Sequence, residues 1–344
     1  MPESIPSLTS PEGWLPLAFM ALMGISILAY VILDGFDLGV GILMQWVPDT
    51  EKDIMLSSIG PFWDANETWL VMGVGILLVA FPTAHGVILG QLYLPIAVML
   101  VGLTLRGVAF DFRVKANDKH KETWNRAFFA GSLLASLAQG YMLGRVITGF
   151  DNAMPAIAFA LFIGACLAAG YVLLGATWLI IKTEGDLQLK SVRWAKQAII
   201  GMAGGILAVS VATPMVSRKI FEKWLSFENI LMVWPIPLTT AIVFFIAWRT
   251  LSRLPIRFAD NNRYGEWVPF VCACGLFMLS FHGLAYSLFP YLVLDQITIW
   301  DAASAPESLK IILIGALLVL PVIVGYSVFA YRVFWGKTSK LEYY

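Results

Sequence analysis

The sequence predicts an all-α polytopic membrane protein of nine transmembrane helices. Three observations lead there: an apolar composition, nine apolar runs of membrane-spanning length, and basic residues gathered on one side. Of 344 residues, 59% are apolar and 13% charged, and the mean hydropathy is +0.77, whereas a soluble domain carries about 25% charged residues. Acidic and basic residues number 23 each, so no net positive field exists to attract nucleic acid.

The apolar runs lie at 15–45, 58–81, 86–110, 125–147, 155–181, 195–215, 229–249, 266–289 and 309–333. Each can form a helix that crosses a hydrocarbon core of roughly 30 Å. Residues 1–13 hold no Lys or Arg, and the first run is too long for a signal-peptide core, so it is expected to remain as a membrane helix. With nine crossings, 18 of the 23 lysines and arginines fall on the side opposite the N-terminus. Basic residues resist translocation, which puts the N-terminus outside and the C-terminus in the cytoplasm. Trp14, Trp46, Trp124, Trp194, Trp224, Trp267, Trp300 and Trp335 fall near run ends, where indoles anchor at the headgroups.

No linker divides the chain, which reads as a single integral membrane domain over 1–344. Within it, 14–150 forms a first four-helix unit, 155–290 a second, and 308–335 a ninth, peripheral helix. A short echo supports the two units: Tyr30-Val31-Ile32-Leu33-Asp34-Gly35 returns as Tyr171-Val172-Leu173-Leu174-Gly175. The acid of the first copy has no acidic counterpart in the second. Cys166, Cys272 and Cys274 lie within runs and read as packing residues, neither a disulfide framework nor a metal site.

Four acids fall inside apolar runs: Asp34 and Asp37 in the first, Asp64 and Glu67 in the second. Each pair is spaced i, i+3 and shares a helix face. From the helix rise, Asp37 is about 13 Å and Asp64 about 10 Å from the cytoplasmic end of its run. The four therefore sit at similar depth and can form one cluster open to the cytoplasm. Desolvation disfavours a charged carboxylate, and a like charge nearby adds to the cost, which suits groups that take up and release protons. Intramembrane acids mark a proton or ion path; the bland alternative is a helix-to-helix hydrogen-bond clamp helped by Gly35, Gly39 and Gly41. Trp63, Asn66 and Trp69 surround the second pair. Arg106, Asp111 and Arg113, at the cytoplasmic end of the third run, can guide protons or dock a partner, but read first as an interfacial or structural group that snorkels and pairs with itself. Of three histidines, His85, His120 and His282, only His282 lies in a run, where it reads as a satisfied core residue. A multi-haem chain needs more axial ligands than that.

The stretch Asp34-Gly35-Phe36-Asp37-Leu38-Gly39-Val40-Gly41, followed by Pro61-Phe62-Trp63-Asp64-Ala65-Asn66-Glu67-Thr68-Trp69-Leu70, resembles the paired signatures of subunit II of the cytochrome bd quinol oxidases. The segment from Arg106 to Arg113, and Thr298-Ile299-Trp300-Asp301-Ala302-Ala303-Ser304, fit the same family, with the region between the last two runs closest to its cyanide-insensitive subgroup. The resemblance implies a complex that oxidises quinol and reduces oxygen to water. It implies a partner, subunit I, that binds two b haems and a d haem or a b haem in its place, with no haem in this chain. It leaves room for small single-helix accessory subunits and for a structural quinone or lipid. It places Asp64 and Trp69 among the proton-path residues, with Asp37 as the first-helix acid, Asp34, Glu67 and Asn66 beside them, and Asp301 in a structural or interface segment. Ala65 and Glu67 depart from the Gly and Gln of many members, and the extra carboxyl bears on the order of protonation. Two other classes compete: a proton-coupled secondary transporter, which also uses acids at matched depth, and a scaffold without a proton role.

Overall fold

The computed structural model describes residues 6–225 and 233–338. Eleven helices lie among them: α1 (Pro11–Leu43), α2 (Asp49–Ile59), α3 (Trp63–Ala80), α4 (Pro82–Lys115), α5 (Asp118–Ile147), α6 (Met154–Lys182), α7 (Gly185–Val216), α8 (Arg218–Leu225), α9 (Pro235–Ala259), α10 (Val268–Leu288) and α11 (Pro306–Val333). A small antiparallel hairpin, β1 (Tyr291–Val293) and β2 (Ile297–Thr298), precedes α11. Six helices carry proline in the first turn, where the missing N–H would have had no partner anyway.

Eight of these helices are long and apolar enough to cross a membrane. α3 is not among them, because Asp64, Asn66 and Glu67 dilute its 18 residues. The run expected at 58–81 is also divided. α2 ends at Ile59, Pro61 cannot continue a helical ladder, and α3 begins only at Trp63. Asp64 is thus in the first turn of its helix and not 10 Å inside it. The seventh run, expected at 229–249, is displaced: residues 229–232 lie outside the described residues, and α9 continues to Ala259.

α1 is the central helix and packs on α3, α5 and α6. Its crossing with α6 is backbone to backbone. A Cβ on Gly39 would overlap the Tyr171 carbonyl oxygen, and one on Gly175 would overlap the Val40 nitrogen. A second close crossing joins α4 to α5, where a Cβ on Gly131 would lie 2.6 Å from the Gly102 carbonyl oxygen and 2.8 Å from the Arg106 nitrogen. Small residues at membrane helix crossings permit such approach. Here they bring the polar faces of α1, α3, α4 and α5 together.

Both ends of this assembly are closed. On the side of the α1 C-terminus, α2 is fastened by Lys52 to Glu122 (3.0 Å), Asp53 to Arg113 (2.7 Å) and Glu51 to Lys190 (2.7 Å), and its Ser58 carbonyl accepts from Trp178 Nε1 (3.2 Å). Burial weakens the hold of Lys52 on its proton, but hydrogen bonds to Asp49 and Glu122 outweigh this and keep the ammonium above the ordinary lysine value. On the opposite side, residues 289–305 form a cap. Ser304 bonds the Val79 and Ala80 carbonyls, and Ile299 and Ala302 pack with Leu15, Phe19, Ile76 and Phe81 into a dry layer. Trp300, expected as a lipid anchor, instead donates Nε1–H to the Gly13 carbonyl (3.1 Å). Replacing it with Phe removes that bond and is expected to cost about 1 kcal/mol. Thermal unfolding of the purified complex should show a midpoint lower by a few degrees with haem content unchanged.

Candidate functional site

The site lies where α1, α3 and α4 meet. Asp34 and Asp37, one turn apart on α1, are both fully buried. From α4, Arg106 enters between them and α3, itself only 1% exposed. Its Nη1 donates to Asp34 Oδ1 at 2.6 Å, and its Nη2 donates to Glu67 Oε2 at 3.2 Å. The reading of Arg106 as a snorkelling interfacial residue is therefore overturned. A buried guanidinium must be paired, and the Gly102–Gly131 crossing carries it inward to two carboxylates. The Trp63 ring covers the guanidinium, with Cζ 5.9 Å from the ring centroid, and packs on Phe110.

Asp37 has a different environment. Its Oδ2 accepts from Asn66 Nδ2 at 2.8 Å, while the Asn66 carbonyl oxygen accepts from the Tyr331 hydroxyl of α11 at 2.9 Å. Asp37 Oδ1, Asp34 Oδ2, Arg106 Nε and Trp69 Nε1 make no hydrogen bond among the described residues. Three carboxyls thus share one guanidinium, and the buried group retains unused donors and acceptors. Such a group can bind, hold and pass a proton.

The expected four-acid cluster is a group of three with Asp64 to one side. Asp64 is exposed, as are Thr68, Val71, Val74 and Leu78 further along the same helix, while Glu67 is half-buried and turned inward to Arg106. Arg113 is buried but belongs to the α2 fastening, donating Nε–H to Asn125 Oδ1 (2.5 Å) and Nη2–H to Asp53. Asp111 is exposed on the far side of the same turn. Asp301 accepts from the Thr298 backbone N–H and hydroxyl, a turn that shapes the 289–305 cap. Sequence reasoning missed Tyr331, Tyr30, Gln139 and Tyr171; only the paired tyrosine echo hinted at any of them.

His282 is exposed, and its Nδ1 donates to the Met278 carbonyl of its own helix (2.7 Å), so it is not a core residue. His85 is half-buried and His120 exposed. Among the described residues no group of three His, Cys, Asp or Glu could hold a metal ion. An apolar groove of about 620 Å³, lined by Leu33, Ser327, Val328, Tyr331, Arg332 and Trp335, opens between α1 and α11.

A family model described as cytochrome bd terminal oxidase subunit II matches residues 15–334. The chain is similar to cytochrome bd ubiquinol oxidase subunit 2 of Bacillus subtilis (strain 168), with 28% identity over 340 residues covering 93% of this chain and 96% of that one. It is also similar to cytochrome bd-I ubiquinol oxidase subunit 2 of Escherichia coli (strain K12), with 25% identity over 368 residues covering 93% and 94%. In fold it matches a chain of the bd oxidase from Geobacillus thermodenitrificans, with a TM-score of 0.74 and 16% identity over 93% of this chain and 98% of that one.

Proposed function

The chain belongs to the cytochrome bd terminal oxidase subunit II family, and from that premise we propose that its buried carboxyls supply protons to a quinol oxidase whose oxygen chemistry takes place in a partner subunit. Two of its relatives carry the name of ubiquinol oxidase subunits, so the chain serves a respiratory oxidoreductase complex and receives no catalytic residue of its own. Haems b and d, or b alone, reside in subunit I in this reading. Quinol and oxygen are substrates of the complex, with small accessory subunits at its edge and a lipid or quinone tail in the α1–α11 groove.

The placement of Asp64 carries the proposal. It stands on an α3 face that continues through Thr68 to Val71, Val74 and Leu78, and a carboxylate turned toward lipid is costly. Subunit I covers that face. A proton then enters at Asp64 along the seam, moves to Glu67 three residues on, and reaches the partner from there, with Arg106 balancing the charge. Asp37, which has no cation of its own, is the buried reserve that takes a proton when Glu67 is ionised. α3 is then the ninth crossing despite its polarity, because protein covers both its faces. The chain consists of two four-helix units, α1, α3, α4 and α5, then α6, α7, α9 and α10, followed by α11 and with the N-terminus outside the bacterial inner membrane.

Asp37→Asn tests this reading in the assembled oxidase. The amide keeps the shape and the Asn66 contact but cannot hold a labile proton. Oxygen consumption is expected to fall about three- to tenfold, with haem absorption unaltered. Full turnover in this variant would remove Asp37 from the path.

A further inference from the structure

One buried polar group has no part in the route just described. Gln139 on α5 reaches between α1 and α6 and bonds both echoing tyrosines: its Nε2 donates to the Tyr30 oxygen at 2.7 Å, and its Oε1 accepts from the Tyr171 hydroxyl at 2.6 Å. Both tyrosines are buried, Tyr171 completely. A primary amide does not exchange these roles, since its nitrogen only donates and its oxygen only accepts. The Tyr30 oxygen has thus received a proton donor, and its own hydroxyl hydrogen is free to point elsewhere. One turn along the same face of α1 stands Asp34, whose buried Oδ2 makes no hydrogen bond among the described residues.

We propose that Gln139 is a positioning residue for the proton path: it orients a Tyr171–Gln139–Tyr30 hydrogen-bond chain so that the Tyr30 hydroxyl hydrogen is turned toward the free Oδ2 of Asp34, whose Oδ1 is held by Arg106. The inference rests on the proton-path reading above. Every donor in the chain points the same way, so Asp34 has the Arg106 guanidinium on its Oδ1 and, one turn away, a phenol turned toward its free Oδ2. The ionisable groups around Asp34 are Asp37 and Tyr30 on α1, Glu67 on α3, Arg106 on α4, Tyr171 on α6 and Tyr331 on α11. α5 contributes Gln139, Ser132 and Ser136, none of which titrates. The polarity of the chain is therefore set by the amide alone. An amide also cannot pass a proton from one tyrosine to the other as a hydroxyl or carboxyl could, so the route ends at Tyr30 and does not continue into the second helical unit.

Two substitutions separate this from a packing role. Gln139→Leu removes the orientation at every pH, and the assembled oxidase should consume oxygen about three- to tenfold more slowly throughout. Gln139→Glu keeps size and shape. While protonated, the introduced carboxyl can still accept from Tyr171 and donate to Tyr30; once ionised it accepts from both, and Tyr30 turns away from Asp34. Turnover of this variant should match the parent at about pH 5.5 and decline toward that of Gln139→Leu by about pH 9, with the midpoint set by burial of the new acid. Tyr171→Phe, which leaves the Gln139 to Tyr30 donor intact, should have the smallest effect of the three. Haem absorption, recorded alongside, should be equal in all. A Gln139→Glu profile parallel to the parent would overturn the proposal, as would Tyr171→Phe slower than Gln139→Leu. Should Gln139→Leu fail to assemble, the shape of the Gln139→Glu profile decides alone. Full turnover in Asp64→Asn would instead mean that the underlying proton reading has failed.

Discussion

Asp64→Asn is expected to slow oxygen consumption by the assembled oxidase about a hundredfold and to leave its haem absorption unchanged. The size follows from position. Glu67, Asp37 and Asp34 lie within one constellation and can partly substitute for one another, but Asp64 is the one carboxyl on the exposed stripe of α3, so in the proposed route nothing runs parallel to it. Losing a positioned proton donor costs about 10²- to 10⁴-fold where no substitute exists, and the lower figure applies because water at the seam can carry part of the traffic. The side chain accepts no hydrogen bond and forms no ion pair among the described residues, so asparagine removes a proton carrier without removing a contact. Intact turnover would mean that protons reach the oxygen site by another door. Loss of the haem signal along with activity would mean that Asp64 holds the two subunits together.

Arg106→Met is expected to have the larger effect on the protein itself. The guanidinium is fully buried and faces Asp34 at 2.6 Å and Glu67 at 3.2 Å. Removing it strands at least one carboxylate where neither water nor another cation is at hand, a loss of about 3–5 kcal/mol. Little assembled oxidase should be recovered from membranes, as judged by haem absorbance per unit of membrane protein. Asp34→Asn added to Arg106→Met should recover a large part of it, because the stranded charge, and not the missing side chain, is the cause. Equal recovery of the single and double variants would place the defect in packing against Trp63 instead.

Much of the fold was legible because lipid permits so little: backbone polar groups in hydrocarbon must bond internally, so long apolar runs become helices. Eight of the nine runs correspond to long apolar helices, with ends that differ by up to about ten residues. The second run was harder to read. Met55, Leu56 and Ile59 of α2 are buried core residues, so hydropathy flows across Pro61 without a gap and overstates the depth of Asp64. The signatures containing Asp34, Asp37, Asp64 and Glu67 were plain in the chain. Their counter-ion was not. Arg106 precedes a stretch holding Asp111, Arg113 and Lys115 that reads as interface, and its partners are 72 and 39 residues away. The 34-residue length of α4 is the local signal that could have placed it inside, since such a helix is about 51 Å long and outruns the hydrocarbon by several turns. Gln139 gave no signal at all, because a glutamine in an apolar run acquires meaning only from what two other helices bring to it.

The dry layer of Leu15, Phe19, Ile76 and Phe81 beneath the outer cap has an electrical consequence. Voltage across a membrane drops mainly over its least polarisable slab, and a full crossing is worth about 2.3 kcal/mol per charge at 100 mV. In the proposed orientation, with the N-terminus outside, that slab lies between the carboxyls and the external medium, which puts the acids near the potential of the cytoplasm. Loading them would then hardly feel the membrane voltage, and a well-energised cell could refill this reservoir almost as readily as a de-energised one.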